Sequence, residues 1–134
     1  MASVLVVDDD ATIRDMLYEL FADEHLCRSA ATAEQAIKLL DTESYTVVIT
    51  DLSMPGLSGV ELLGYMRQQQ PDTPVIIVSG VNDQTQAERL IEMGAFDYLP
   101  KPFRLESVEL SVARAIEHHR HLTEQRQVQA AASD

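Results

Sequence analysis

Four short strand-like runs, each followed by a polar or charged side chain, constrain the fold of this chain most strongly. The runs cover residues 4–7, 47–50, 75–78 and 96–99. Asp8, Asp51 and Ser79 follow the first three runs directly, and Lys101 follows the fourth. The first three runs are apolar almost throughout, which indicates strands of a parallel sheet covered on both faces. Because such strands end at one edge of the sheet, where ligands bind, we expect these side chains to lie close together.

Segments with helical periodicity alternate with the predicted strands. The strands are predicted at residues 3–8, 26–30, 46–50, 74–79 and 96–99. The helical stripes between them are Ile13, Met16, Leu17, Leu20 and Phe21; Ala36, Leu39 and Leu40; Val60, Leu63 and Met66; and Ala87, Leu90 and Ile91. Thr32, Ser58 and Asp83 each precede a Gln or Glu by three positions, the spacing of a capping box at a helix start. Consecutive strand–helix units of this kind predict an α/β doubly wound fold.

The last predicted helix starts near Leu105, and its apolar stripe fades after Leu122. The residues beyond, 123–134, are rich in Gln and Ala, which is typical of a frayed helix end or a linker. A helical connector to an effector domain is the alternative for this segment. We therefore divide the chain into a domain at residues 1–122 and a C-terminal helical extension or linker at residues 123–134.

The composition excludes several functional classes. With 134 residues, the chain is long enough for one domain with a substantial core. Its net charge of −12 opposes nucleic-acid binding, which depends on Lys and Arg at phosphates. No segment is long and apolar enough to span a bilayer, and no signal-peptide pattern precedes the first strand, so we expect no membrane association. Cys27 is the single cysteine, which excludes an internal disulfide and fits a cytoplasmic location.

The chemistry of the strand ends indicates a site for a divalent cation and a phosphoryl group. Two carboxylates about 4 Å apart repel each other by ~4 kcal/mol at an effective dielectric constant near 20, so Asp8, Asp9 and Asp51 together need a cation or a proton. Mg²⁺ binds oxygen ligands, keeps several waters and contacts phosphate oxygens. A carboxylate beside such an ion can be the nucleophile in phosphoryl transfer. Lys101 and the Ser79 hydroxyl would then contact the phosphoryl oxygens.

In combination, these motifs resemble the receiver domain of two-component response regulators, the CheY-like superfamily. The resemblance covers about residues 3–120, nearly the whole chain. It rests on the Val-Asp-Asp sequence after the first strand, Asp51 followed by Met54-Pro55-Gly56 and Gly59, Ser79, and Lys101-Pro102. It implies a flavodoxin-like doubly wound (βα)5 fold whose five-stranded parallel sheet has the order 2-1-3-4-5.

The resemblance also implies which residues take the phosphoryl group and the metal. Asp51 corresponds to the phosphoacceptor. Asp9 corresponds to a direct Mg²⁺ ligand, and Asp8 to the acid that holds the ion mostly through water. Asp51 itself and the backbone carbonyl of Ser53 complete the implied ligand set.

A second group of residues corresponds to the parts of the family that respond to the phosphate. Ser79 corresponds to the hydroxyl that turns toward the phosphoryl group, and Lys101 to the lysine that pairs with it. Tyr98 corresponds to the aromatic residue that swings inward when that hydroxyl moves. The Lys101–Pro102 peptide bond is expected to be cis. Val81 lies at a position that tunes water access to the site.

The function implied by the resemblance is signalling through an aspartyl phosphate. A histidine kinase or a phosphotransfer protein would donate the phosphoryl group, and the chain would catalyse only its own phosphotransfer and autodephosphorylation. The signal would leave through the surface formed by the fourth helix, the fifth strand and the fifth helix, which carries Arg89, Met93, Tyr98 and Arg104. We expect the receiver of this signal to be a downstream effector, an output domain or a second copy of the chain.

Two other functions remain open from the sequence. The pattern Asp8-x-Asp10-x-Thr12 after a strand also fits the nucleophile motif of Mg²⁺-dependent haloacid-dehalogenase-like phosphatases, with Asp8 as the nucleophile. That assignment leaves Asp51 unexplained, and no acidic pair ends a strand after Lys101. The second alternative is an interaction module that never takes a phosphoryl group.

Overall fold

A computed structural model describes residues 2–80 and 84–133, with side chains up to Val128. The strands are β1 (Ser3–Val7), β2 (Leu26–Ala30), β3 (Val47–Asp51), β4 (Val75–Ser79) and β5 (Asp97–Pro100). The helices are α1 (Ala11–Ala22), α2 (Ala33–Thr42), α3 (Gly59–Gln69), α4 (Gln84–Glu92) and α5 (Leu105–Ser133). All strand pairs are parallel, and the sheet order is β2-β1-β3-β4-β5. The predicted doubly wound fold and its 2-1-3-4-5 order are confirmed.

β1, β3 and β5 each end one residue away from the predicted end, whereas β2 and β4 end where predicted. β1 ends at Val7 because the Asp8 carboxylate accepts a hydrogen bond from the Asp10 amide at 2.9 Å and turns the chain. β3 continues through Asp51, whose backbone lies opposite Val78 in β4. β5 likewise continues to Pro100, which lies opposite Ser79. Asp8, Asp51, Ser79 and Lys101 therefore occupy the last position of a strand or the first position beyond it.

The core consists of two layers, one on each face of the sheet. One face of the sheet packs against α1 and α5, and the other packs mainly against α2 and α3. The first layer contains Val4, Val6, Leu17, Phe21, Val47, Ile49, Ile76, Val78, Val108, Val112 and Ala115. The second layer contains Leu5, Val7, Ala36, Leu40, Val48, Leu62, Leu63, Met66, Val75, Ile77 and Leu90, among others. Strands β1, β3 and β4 are buried on both sides, which accounts for their continuous apolar sequences.

Most predicted helical stripes face the core, but α4 contributes little to it. Of its predicted stripe, Leu90 is buried, whereas Ile91 is 46% exposed. α4 has nine residues and packs beside β5 at the edge of the sheet. A helix in this position has less sheet to cover, so part of its apolar stripe remains on the surface.

Side-chain caps start three of the helices. Asp10 accepts hydrogen bonds from the Thr12 and Ile13 amides at the start of α1. Thr32 caps α2, and Ser58 forms a capping box with Glu61 at the start of α3. Such caps satisfy amides that have no partner within the helix. The cap predicted at Asp83 lies outside the described residues.

α5 continues as one helix well past the end of its apolar stripe. It runs for 29 residues to Ser133, whereas the fading stripe favours a frayed end or linker over the last ten residues. Residues 123–133 contain no Gly or Pro and are mostly strong helix formers, which accounts for the continuation. Arg126 also forms an ion pair with Asp72, with Nε 2.7 Å from Oδ2. Among the described residues, no helix is apolar over a length that would cross a membrane.

Candidate functional site

The C-terminal edge of the sheet brings the predicted acidic residues together. Asp8 is fully buried and Asp51 is 6% exposed, whereas Asp9 lies at the surface. One ligand oxygen from each of the three carboxylates lies within 4.8 Å of the other two. An all-oxygen donor set of this charge suits a hard divalent cation such as Mg²⁺. The structure thus places all three predicted acidic ligands in one cluster.

Lys101 links two of these acids. Its Nζ lies 3.1 Å from Asp8 Oδ2 and 3.3 Å from Asp51 Oδ1. The Lys101 amide donates to the Ser79 carbonyl at 2.7 Å, which holds the start of the β5–α5 loop against the end of β4. The Lys101–Pro102 peptide bond is cis. Lys101 therefore contacts residues at the ends of β1, β3 and β4, two of them through its side chain and one through its backbone amide.

The charges in the cluster perturb one another. Burial, and then the negative charge of Asp8, raise the pKa of Asp51, while the Lys101 ammonium acts in the opposite direction. Burial lowers the pKa of Lys101, but the hydrogen bond and charge of Asp8, together with Asp51, outweigh it and leave the pKa above its usual value. Lys101 therefore stays protonated, and the cluster retains an excess of negative charge.

Arg14 supports the first acidic turn, although the sequence patterns did not single it out. Its Nη1 donates to the Asp8 carbonyl at 2.9 Å, while the Asp8 carboxylate accepts from the Asp10 amide. Arg14 lies one turn into α1, and helical side chains lean toward the N-terminus of their helix. A basic residue four positions after a capping Asp is the signal that could have identified it.

The acceptor loop, residues 52–58 between β3 and α3, follows Asp51 directly. At its start the Leu52 amide donates to the Val78 carbonyl at 3.0 Å, and the Gly59 amide donates to the Leu52 carbonyl at 2.9 Å. A Cβ on Gly59 would lie 2.4 Å from the Asp51 carbonyl oxygen, so this close approach requires glycine. Ser53 lies in this loop, two residues past Asp51, with its side chain exposed.

The residues expected to respond to a phosphate lie on neighbouring elements. Ser79 is buried at the end of β4, next to β3 in the sheet. Tyr98 is half-buried on β5, and its hydroxyl donates a long hydrogen bond of 3.4 Å to Gln86 Oε1 on α4. Tyr98 thus connects the strand that precedes Lys101 with α4. Val81 lies outside the described residues.

Known proteins of one family match this chain. The family model for the response regulator receiver domain matches residues 4–113. The chain is 40% identical over 119 residues to the DNA-binding transcriptional regulator NtrC of Proteus hauseri, covering 88% of this chain and 25% of that protein. It is 37% identical over 127 residues to NtrC of Escherichia coli (strain K12), covering 94% of this chain and 27% of that protein.

The solved structures agree with the sequence relatives. A crystal structure of a response regulator receiver domain protein from Clostridium thermocellum is 31% identical, with a TM-score of 0.84 over 91% of this chain and 99% of that chain. These comparisons give no support to the phosphatase alternative. The chain spans about a quarter of the length of the two curated relatives. By sequence, fold and the family model over most of its length, the chain belongs to the response regulator receiver domain family.

Proposed function

We propose that Asp51 is a phosphoacceptor that takes a phosphoryl group with the help of Mg²⁺ at Asp8, Asp9, Asp51 and the Ser53 carbonyl. The observation that carries this proposal is the position of Lys101, whose ammonium lies within 3.3 Å of carboxylate oxygens of both Asp8 and Asp51. A fixed cation beside a buried carboxylate can neutralise a phosphoryl group as it arrives. Mg²⁺ would add charge neutralisation on the phosphoryl oxygens.

The reaction conserves atoms and needs no oxidant or reductant. A carboxylate oxygen of Asp51 forms a bond to phosphorus as the phosphorus–nitrogen bond of a phosphohistidine breaks. The donor is a histidine kinase or a phosphotransfer protein. Water later cleaves the acyl phosphate, releases inorganic phosphate and restores Asp51. The chain thus assists its own phosphorylation and dephosphorylation and is not an enzyme with a separate substrate.

The phosphoryl group would be read by Ser79 and Lys101. Contact with both requires the loops after β4 and β5 to adjust, and Tyr98 links that adjustment to α4. The result is a population shift between two forms of the α4–β5–α5 face. Moving the equilibrium from 1:99 to 99:1 takes ~5.5 kcal/mol of differential stabilisation. A downstream effector, an output domain or a second copy of the chain would bind the shifted form.

The domain boundaries and the cellular location are also part of this proposal. Residues 1–122 are the receiver domain, and residues 123–134 are a C-terminal helical extension or linker. The curated relatives are transcriptional regulators about four times as long as the matched region, which supports a cytoplasmic signalling role for this chain as well. The net charge of −12 argues against DNA contacts by this chain itself.

Phosphoryl uptake tests the proposal directly. With Mg²⁺ and acetyl phosphate, we expect intact-mass spectrometry to show one added phosphoryl group on the unsubstituted protein and on Asp15→Asn, a matched change on the exposed side of α1. Asp51→Asn should show none. Equal uptake by Asp51→Asn, or no uptake by the unsubstituted protein, would overturn the assignment. Multiple-turnover phosphatase activity that Asp8→Asn abolishes and Asp51→Asn preserves would reverse it in favour of the phosphatase alternative.

A further inference from the structure

We propose that Glu34, on α2, is a positioning residue that holds the acceptor loop in the form that binds Mg²⁺ and the phosphoryl group. This inference rests on the proposed function, because it assigns a supporting residue to that reaction. Glu34 Oε1 accepts a hydrogen bond from the Leu57 amide at 2.8 Å. The two residues are 23 positions apart in the sequence, so the bond ties the loop after β3 to a different helix.

The backbone of the loop is shaped around this carboxylate. Gly56 has a φ of +78°, a conformation that favours glycine. An ideal Cβ at this position would lie 2.7 Å from Glu34 Oε1. The backbone angle favours glycine at position 56, and a Cβ there would also push the Glu34 carboxylate away from the loop. The loop passes close enough to the carboxylate that any side chain at position 56 would displace it.

The other end of the acceptor loop is fixed by backbone contacts. Leu52 is hydrogen-bonded to Val78 on β4 and to Gly59 at the start of α3. Ser53, whose carbonyl is a candidate metal ligand, lies between this fixed base and the Leu57–Glu34 contact. Glu34 thus restrains the far side of the segment that must present the Ser53 carbonyl.

A restrained loop binds a ligand more tightly because less conformational entropy is lost on binding. Glu34 lies in the first turn of α2, where the helix dipole favours a negative side chain. Loss of one hydrogen bond of ordinary net strength would weaken Mg²⁺ binding by about two- to tenfold. Because Glu34 is exposed to solvent, we expect the lower part of that range.

Two substitutions separate the hydrogen bond from the charge. Glu34→Ala removes both, whereas Glu34→Gln keeps a carbonyl oxygen that can accept from the Leu57 amide. Mg²⁺ affinity is measured by titration at constant pH and ionic strength, and amide hydrogen exchange is measured at Leu57. We expect Glu34→Ala to bind Mg²⁺ about two- to fivefold more weakly and to exchange faster at Leu57. Glu34→Gln should recover most of the affinity, and Lys38→Ala, on the same helix, should match the unsubstituted protein.

The failure of this inference is distinguishable from failure of the proposed function. If the unsubstituted protein bound no Mg²⁺, the proposed function would fail and this inference with it. If it bound Mg²⁺ and Glu34→Ala bound it equally well, only the inference would fail. Equal losses in Glu34→Gln and Glu34→Ala would assign the effect to charge and overturn the positioning role.

A second measurement does not depend on metal. Gly56→Ala combines backbone strain with the contact against Glu34, and only the contact disappears in a Glu34→Ala background. We therefore expect Gly56→Ala to lower the free energy of unfolding less in that background than in the unsubstituted protein. An identical cost in both backgrounds would show that Glu34 and the loop are not coupled.

Discussion

Asp51 shows at the scale of one residue how a reactive group can oppose the stability of its own fold. Its carboxylate is nearly buried, lies in a cluster with Asp8 and Asp9, and is offset by the single ammonium of Lys101. Burial and Asp8 raise its pKa. The folded state therefore binds a proton at Asp51 more tightly than the unfolded state does. This linkage favours folding at low pH: it is fully present below the unfolded pKa of about 4 and is lost as the pH rises through the higher pKa of the folded state.

We expect Asp51→Asn to unfold at a higher urea concentration than the unsubstituted protein at pH 7 without divalent cations. The gain should be about 1 kcal/mol, since the like-charge repulsion it removes is partly offset by Lys101 already. The difference should shrink as the pH falls through the raised pKa of Asp51, because the carboxylate is then protonated and no longer repels its neighbours. Added Mg²⁺ should stabilise the unsubstituted protein more than the variant. If Asp51→Asn were less stable than the unsubstituted protein at pH 7 without divalent cations, this account would be contradicted. Asp15→Asn is the control for the loss of one carboxylate charge.

At the scale of elements, α5 is joined to β5 by a buried polar contact as well as by apolar packing. The Ser111 hydroxyl, 2% exposed, donates to Asp97 Oδ2 at 2.7 Å, and Asp97 Oδ1 accepts from the Tyr98 amide. One carboxylate therefore fixes the backbone at Tyr98 and the helix that packs over it. This contact therefore links the position of β5 to that of α5.

Ser111→Ala should lower the free energy of unfolding by about 1–3 kcal/mol, because it leaves a half-buried carboxylate oxygen without this donor. Urea denaturation measures the change. Ser107→Ala, one turn earlier on the exposed side of the same helix, is the matched control and should change stability by less than about 0.5 kcal/mol. Equal effects of the two substitutions would mean that the Asp97 contact adds no stability.

The secondary-structure elements and the strand-end cluster could be predicted from the sequence, but other features could not. Strand and helix types, the sheet order implied by the resemblance, and the gathering of Asp8, Asp51 and Lys101 follow from periodicity and from which residues end each strand. Side-chain contacts away from the strand ends could not be predicted. Glu34 reaches the acceptor loop 23 positions away, and its spacing from Leu57 carries no periodic signal. The exposure of Ile91 also escaped prediction, because a stripe of apolar residues does not reveal how much sheet lies beneath it.

At the scale of the whole molecule, the α4–β5–α5 face combines exposed apolar and basic side chains on a strongly acidic protein. Ile91 and Met93 are 46% and 43% exposed, and Arg89 and Arg104 lie at the surface nearby in the sequence. Tyr98 is half-buried on the same face. Ile91 and Tyr98 line one shallow groove together with Glu88, Glu92 and Asp97, so this face carries exposed apolar surface among charges of both signs, as interaction surfaces often do.

Beryllofluoride is a mimic of the phosphoryl group. We expect Tyr98→Ala and Arg104→Ala to weaken the beryllofluoride-dependent association of the chain with itself or with a partner, while both variants still bind beryllofluoride. Sedimentation velocity measures self-association, and pull-down with an output partner measures the alternative. Each change should weaken association by about fivefold or more, as for a side chain that contributes over about 1 kcal/mol at an interface. Arg28→Ala, on β2 at the opposite edge of the sheet, should leave association unchanged. If neither Tyr98→Ala nor Arg104→Ala changed the association, the α4–β5–α5 face would be excluded as the binding surface.

Helix α5 extends well beyond the residues that it buries in the core. Its first half, which follows the loop that carries Lys101, is buried at Val108, Val112 and Ala115, and the helix continues to Ser133. From Ala115 to Arg126 the helix rises about 16 Å, so a tilt of about 5° around the buried first half would move Arg126 by about 1.5 Å. Because Arg126 is paired with Asp72, a small adjustment of the loop that carries Lys101 would strain or break an ion pair near the far end of α5.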